Sequence, residues 1–420
     1  MYESEMTRKL KFYVVRFLLY AALIGFGLIM LFPFIYMVAS SLKTSDDVTS
    51  YPPRILPRSP ERTEFEGEDR VLYRVEVDGE ERLMVVTDEQ APRLGFFAEP
   101  QDLNADDPRS TPIELTVEFD TGIEDGTLID LEQEVVVESR TGRERSFDLY
   151  DVEIDGEFRT LALAFRTRGN IFVDPEDPTV TAVGSVLRAQ RVEFVELQLG
   201  NYNAVLELDM DRALVNTTFV TILVVAGQVI TSIFGGYAFS RIPFRGRNAL
   251  FLMYLGSYMV PFVVLIIPMY RLMVAIGWQG RIVSLIVPWV FTVYGTFLLR
   301  QFFMSIPREI EEAALLDGAG RFRILWGIFV PLSKPALAAL TIFSFLYAWN
   351  SFLWPLIIIG EGNVDNHVLT LSLIRLNNAA ATEPNLALTG AAIAILPPIF
   401  IFILAQKYFI EGIATSGLKG

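Results

Sequence analysis

The chain has no cysteine and one histidine, His367, in 420 residues. The first absence removes a disulfide framework and any thiolate metal site. The second removes histidine-based catalytic triads and multi-histidine metal centres. His367 lies in a polar segment and reads as an ordinary loop histidine. No Gly-x-x-x-x-Gly-Lys-Ser/Thr phosphate loop occurs, so the chain is not itself a P-loop ATPase. Lysine is missing between Ser59 and Gly200, where 35 Asp and Glu face 14 Arg. That stretch carries a formal charge of −21 against −15 for the whole chain, leaving the remainder mildly basic at +6. Two chemically different objects share one polypeptide.

What is abundant is apolar: 52% hydrophobic residues and a mean hydropathy of +0.38. About 20 apolar residues suffice to cross the hydrocarbon core of a bilayer. Six uncharged runs approach or exceed that length: Phe17–Ser41, Ala213–Ser240, Asn248–Tyr270, Ile282–Leu299, Ala336–Gly360 and Pro384–Gln406. The first is longer than a signal-peptide core and ends in bulky Phe32-Pro33-Phe34-Ile35-Tyr36, so it reads as a retained span. Arg8, Lys9, Lys11 and Arg16 precede it. Arg241, Arg245 and Arg247 follow the second run, and Arg300, Arg308, Arg321, Arg323 and Lys334 lie between the fourth and fifth. Positive charge marks the cytoplasmic side. Both termini are therefore expected in the cytoplasm, with residues 59–200 and the 361–383 loop outside. Arg271 and Arg281 fall outside but are fewer.

The expected fold class is a six-helix polytopic membrane protein carrying an inserted β-rich extracytoplasmic domain. Its parts are residues 1–58, the acidic insert 59–200, and a five-helix core 201–420. Within the insert, alternating Leu72–Val77, Asp78-Gly79 and a return run make a hairpin signal. The same pattern recurs at Leu149–Ile154 and Asp155-Gly156. Gly95-Phe-Phe-Ala-Glu-Pro100 is likewise echoed by Asn170-Ile-Phe-Val-Asp-Pro175. Offsets of 77 and 75 residues suggest an internal duplication. Ile113–Phe119 and Glu134–Glu138 read as further strands. Two similar β-rich units packed as one domain are expected, with acids on the outer faces. Asp106-Asp107 and Asp174-Pro-Glu-Asp177 carry calcium-type oxygen ligands, but their spacing matches no calcium loop and solvated turns are favoured. Carboxylate pairs arise by chance among so many acids, so no glycosidase site is assigned.

Between the fourth and fifth runs lies Ser305-Ile-Pro-Arg-Glu-Ile-Glu-Glu-Ala-Ala-Leu-Leu-Asp-Gly-Ala-Gly320. Ser305 and Pro307 supply start signals, and Glu309, Glu311 and Glu312 complement the helix dipole. Asp317-Gly318 offers a stop. A short exposed helix of this kind suits a groove on another protein. Glu312-Ala313-Ala314, Asp317-Gly318-Ala319, Ile328 and Pro331 resemble the EAA loop of binding-protein-dependent ABC-importer permeases. The likeness is greatest to the sugar branch and its smaller maltose-type (MalG-like) subunit.

Other landmarks resemble the same family: Asn201-Tyr202, Tyr237-Ala238-Phe239-Ser240-Arg241, and Trp349-Asn350 with Trp354-Pro355. Ser351 stands where many relatives carry Glu, which leaves the gate chemistry there open. The resemblance covers about residues 8–58 and 198–420, and Asn201-Tyr202 arrives about 140 residues late. It implies a second, MalF-like permease subunit, two ATPase subunits and an external solute-binding protein in contact with this membrane protein. ATP and magnesium would sit on the ATPases, with no cofactor bound by this chain and no enzymatic activity of its own. It also implies that the EAA loop couples ATPase closure to the spans, and that the tail Gly417-Leu418-Lys419-Gly420 reaches the ATPases. Tyr254, Trp349 and Asn350 are candidates for a sugar pathway, with helix packing an equally good reading of each. The alternative function is a membrane-anchored extracytoplasmic receptor without transport, which would need only one or two spans. The insert reads either as an accessory docking or stabilising domain for the solute-binding protein or the partner permease, or as an acidic decoration.

Overall fold

A computed structural model describes residues 5–77, 79–139, 142–154, 156–186, 188–379 and 382–416. The chain forms two compact units, Met1–Pro57 with Leu197–Gly420, and Arg58–Glu196.

The Arg58–Glu196 unit is built on two hairpins. Strands β1 (Arg58–Pro60) and β2 (Arg62–Phe65) lead into β3 (Glu68–Val77) and β4 (Glu80–Ala98). Next come β5 (Leu115–Glu118), β6 (Leu128–Glu138), β7 (Glu144–Ile154), β8 (Glu157–Val173), β9 (Thr181–Gly184), β10 (Gln190–Arg191) and β11 (Glu193–Val195). Gly79 and Gly156 turn the two hairpins at φ +81° and +85°, a backbone region that glycine enters without strain. Their predicted partners, Asp78 and Asp155, lie outside the described residues.

Among the described residues nine strands form one antiparallel sheet, whose main path runs β10-β3-β4-β8-β7-β6. β5 pairs with Leu94–Phe97 of β4, and β9 pairs with Asn170–Val173 of β8, 76 positions on. The edges cross over: β6 pairs with β7, whereas β10 pairs with β3. Each hairpin is thus completed by a strand that follows the other hairpin. The cores repeat the same exchange. Tyr73 and Met84 bury against Phe172, and Tyr150 and Leu161 bury against Phe97. The two Tyr–Phe pairs meet edge-on at 5.7 Å and 5.6 Å. The predicted units are therefore interlocked halves of one sheet.

The predicted strand over 113–119 is shorter than expected. Phe119 is buried and opens a one-turn-plus helix, Phe119–Asp125, which Gly126 closes at φ +82°.

The other unit is helical: α1 (Glu5–Ser40), α2 (Asp211–Arg241), α3 (Arg247–Ser257), α4 (Phe262–Ala275), α5 (Val293–Ser305), α6 (Arg308–Leu316), α7 (Lys334–Trp349), α8 (Leu353–Ile358), α9 (Leu369–Ala379) and α10 (Pro384–Ser416). Among the described residues five helical stretches, Lys11–Ser40, Gly200–Arg241, Val283–Ser305, Lys334–Ile358 and Pro384–Gln406, are long and apolar enough to cross a membrane, or six if the α3–α4 pair is one broken span. That pair replaces the straight run expected over 248–270: α3 and α4 meet at 92°. Pro261 is the cause, because proline ends the preceding helix and fits the start of the next.

The fifth run is also broken, between Trp349 and Leu353. Pro355 has no N–H for the Ser351 carbonyl, and the Thr370 hydroxyl donates to that carbonyl at 2.8 Å instead. In the fourth run the carbonyls of Trp289 and Val290 take donors from Gln228 and Thr231 of α2, at 2.9 Å and 2.8 Å. Inside a bilayer, freed backbone groups need such internal partners.

A polar knot joins the residues that flank Arg58–Glu196. Asn201 Nδ2 donates to the carbonyls of Ser41 and Lys43, at 2.9 Å and 2.8 Å. The Gln198 amide donates to the Leu42 carbonyl at 2.9 Å. Thr389 of α10 adds a bond to the Ser41 carbonyl at 3.0 Å. The chain therefore departs and returns within one hydrogen bond of itself.

Candidate functional site

The EAA-type segment folds as α6, Arg308–Leu316, with Pro307 extended at its start. Ser305 does not open it. That residue ends α5, and its hydroxyl donates back to the Phe302 carbonyl at 2.7 Å. Glu309 and Glu311 occupy the first turn of α6, where the dipole favours them. The far end closes as the sequence leads one to expect. Gly318 takes φ +80°. Its amide donates to the Leu315 carbonyl at 3.0 Å, while the Ala319 amide reaches Ala314 at 2.9 Å.

One side of α6 is seated on the helical core and the other is open. Ala314 and Ala319 pack against a buried cluster that includes Tyr237, Phe303, Ile324 and Phe329, and Ile328 joins it. Glu312, Ala313 and Leu315 are exposed, and Leu316 is 90% exposed. Asp317 and Pro331 are exposed as well. Glu312, Ala313 and Leu316 follow helical three- and four-residue spacing and so share a face.

Sequence reasoning missed the residue that holds the seat. Arg241, the last residue of α2, lies almost fully buried beside Glu311 of α6, Nη1 to carboxylate 3.4 Å. Its Nη2 donates to the carbonyls of Phe303 and Ile306 where α5 ends, the former also accepting the Ile306 amide. The guanidinium lies 4.9 Å from the ring centroid of Phe329. The Tyr237 hydroxyl donates to the other Glu311 oxygen at 3.4 Å. The available signal was an arginine closing a long uncharged run, with nothing in the pattern to point at Glu311. Alongside lies an open cleft of ≈ 900 Å³ lined by Arg241, Arg247, Arg308, Glu311, Glu312 and Arg321.

The three pathway candidates are each tied into the helix packing. The Trp349 indole donates to the Ala394 carbonyl at 3.1 Å and stacks on Phe345. Asn350 Nδ2 donates to the Leu346 carbonyl, capping α7. The Tyr254 hydroxyl lies 3.4 Å from that of Thr296, and its ring stacks on Phe239. Trp349 also borders a cavity with Thr217, Trp289, Tyr347, Ser351 and Trp354, whose ≈ 20 Å³ is room for one water and not for a sugar ring. The tail Gly417–Gly420 lies outside the described residues.

In the other unit, the clustered aspartates cap turns. Asp107 accepts from the Arg109 amide at 3.2 Å, Asp174 from Glu176 at 2.9 Å, and Asp177 from the amide and hydroxyl of Thr179. Those bonds from Thr179 hold the Asp177 carboxyl below its ordinary value, as Thr127 does for Asp125. His367 is buried, with Nε2 3.2 Å from the Gly360 carbonyl.

Residues 227–415 match the family described as the binding-protein-dependent transport system inner membrane component. The sn-glycerol-3-phosphate transport system permease protein UgpE of Rhizobium meliloti (strain 1021) is 33% identical over 223 residues, covering 53% of this chain and 79% of its own. The arabinooligosaccharides transport system permease protein AraQ of Halalkalibacterium halodurans is 33% identical over 205 residues, covering 49% and 73%. Among solved structures, a bacterial ABC transporter involved in the import of the acidic polysaccharide alginate is similar at 26% identity. Its TM-score is 0.45, with 54% of this chain and 83% of that chain covered.

Proposed function

The chain belongs to the family of binding-protein-dependent inner membrane transport components, and from that premise we propose that it is the permease subunit of an ABC importer for a sugar or oligosaccharide. The observation that carries the reading is α6. It is a short helix seated on the ends of α2 and α5, and it presents Glu312, Ala313 and an almost fully exposed Leu316 outward. An apolar side chain so exposed on a well-formed helix suits insertion into a partner's groove. Two ATPase subunits would supply that groove together with ATP and magnesium. A second, MalF-like permease and an external solute-binding protein would complete the assembly. Glu312, Ala313, Ala314, Asp317, Gly318, Ala319, Ile328 and Pro331 form the coupling loop, and Gly417–Gly420 reach toward the ATPases. ATPase closure would move α6 and switch the spans between outward and inward access.

In this reading six spans cross the membrane, with both termini cytoplasmic and the Arg58–Glu196 unit extracytoplasmic. That unit serves as an accessory docking domain for the solute-binding protein, and its negative charge favours a basic partner surface in a salt-sensitive contact. Cargo in the carbohydrate class is supported by the relative named for the transport of arabinooligosaccharides.

Copurification tests the reading. The tagged chain should bring down an ATPase and a second permease, and Gly318→Pro should abolish uptake while the chain stays in the membrane. Unchanged uptake in that variant, or a chain that isolates alone, would sink the proposal. A cysteine introduced into residues 59–200 should react with an impermeant label from outside only. Labelling solely from the cytoplasmic side reverses the topology. If import keeps the same dependence on binding-protein concentration after residues 60–198 are replaced by a Gly/Ser linker, docking is wrong.

A further inference from the structure

Four segments converge on one side chain at the cytoplasmic base of this permease. Arg241 ends α2, its two carbonyl acceptors end α5, its carboxylate partner lies on α6, and Phe329 belongs to the stretch after α6. The side chains of Arg241 and Glu311 are only 5% and 12% exposed. Tyr237, Phe303 and Phe329 wall them in, with Tyr237–Phe329 at 5.2 Å and Phe303–Phe329 at 5.4 Å. A buried ion pair gains little over apolar packing, but losing one partner leaves an uncompensated buried charge. Such a pair is therefore a weak source of stability and a strong constraint on geometry.

The apolar contacts of α6 are too small to fix its angle unaided. Ala314 of α6 and Ala319 just beyond its stop offer single methyl groups to the buried cluster, and the larger Leu315 and Leu316 are exposed. A methyl-sized seat permits sliding and rotation, whereas a guanidinium bonded in three directions does not. Arginine meets this demand because its donors form a rigid planar fork; a lysine ammonium is a point charge on a flexible stem.

We propose that Arg241 and Glu311 are the positioning pair that makes α6 move as one rigid body with α2 and α5, so that displacement of the coupling helix reaches the spans undiminished. This rests on the permease reading given above.

The absence of cysteine makes a direct test available. Spin labels at Ile222→Cys on α2 and Glu309→Cys on α6 report the α2–α6 distance by double electron–electron resonance. Both positions are exposed. The sample is the full transporter, with partner subunits made cysteine-free, measured nucleotide-free and trapped with ATP and vanadate. In the unsubstituted pair the distance should be single, narrow and the same in both states. Glu311→Gln keeps Arg241 on its two carbonyls and should add a second population displaced by about 5 Å, the scale of a one-turn shift. Arg241→Lys should give a smaller second population.

A merely structural role would lower yield or broaden every distance without creating a second discrete position. One narrow distance in both variants overturns the pair, as does an unsubstituted distance that changes with ATP. If no ATPase copurifies with the unsubstituted chain, the permease reading fails. The nucleotide-free comparison still decides whether Glu311 positions α6.

Discussion

The two units bring their elements together in opposite ways. Where α2 crosses α5, the contact is made of what is missing. A Cβ on Gly236 would lie 2.9 Å from Leu299 Cβ and 3.0 Å from the Arg300 amide, and one on Gly295 would overlap the Ser232 hydroxyl. In the Arg58–Glu196 unit the contact is bulk: Phe97 and Phe172 are almost fully buried, each edge-on to a tyrosine. The difference follows from the solvent. Water drives large apolar groups together. Lipid tails are as apolar as leucine, so helices gain by close backbone approach and by hydrogen bonds. A high apolar count therefore marks core in one unit and also exposed helix surface in the other, as the apolar side chains along α1 illustrate.

That contrast is breakable at several points. The largest effect belongs to Phe97→Ala and Phe172→Ala, expected to cost about 3–5 kcal/mol each in urea unfolding of a 58–196 fragment. Because the two halves exchange strands, a single transition should shift in both variants. Two separate transitions would mean that the halves fold independently. Gly236→Val should cost about 1–3 kcal/mol by overpacking, read as a lower melting temperature of the whole chain in nanodiscs. Truncating exposed Phe219 of α2 to alanine should leave that temperature nearly unchanged, and an equal loss from both would erase the distinction.

Smaller again, Gly79→Ala and Gly156→Ala should each destabilise the fragment by about 1 kcal/mol, since both glycines sit at positive φ. The smallest change is with pH. Asp125 and Asp177 have carboxyls held below their ordinary value of 3.8 by threonine donors. Their contribution is full above that value and is lost as pH falls through the folded-state values. The fragment's urea midpoint should therefore drop below about pH 4. Asp125→Asn and Asp177→Asn together should flatten that drop, and an unaltered acid limb would assign it to other carboxylates.

Local signals were legible wherever the cause is local. Gly318 stops α6 because the residue after a helix can enter the left-handed region most easily as glycine, and Gly79 and Gly156 turn their hairpins for the same reason. Ser305 misled because a serine between two helices suits the end of one as well as the start of the next. The bend at Pro261 was readable in principle, since proline cannot continue the preceding hydrogen-bond pattern. An unbroken apolar run concealed it.

The sequence by itself determined the division into a basic apolar body and an acidic alternating insert, the short helix α6 with its glycine stop, and the repeated hairpins. Each follows from hydrophobic period, charge or backbone restriction within a few neighbouring residues. Only the tertiary structure decided that β6 and β10 cross between the halves, and that Gln228, Thr231 and Thr370 satisfy carbonyls freed at helix breaks. It alone set Arg241 against Glu311, 70 residues away. Those pairings join groups far apart in the chain. Which donor meets which acceptor depends on how whole helices and strands pack, and no local period records it.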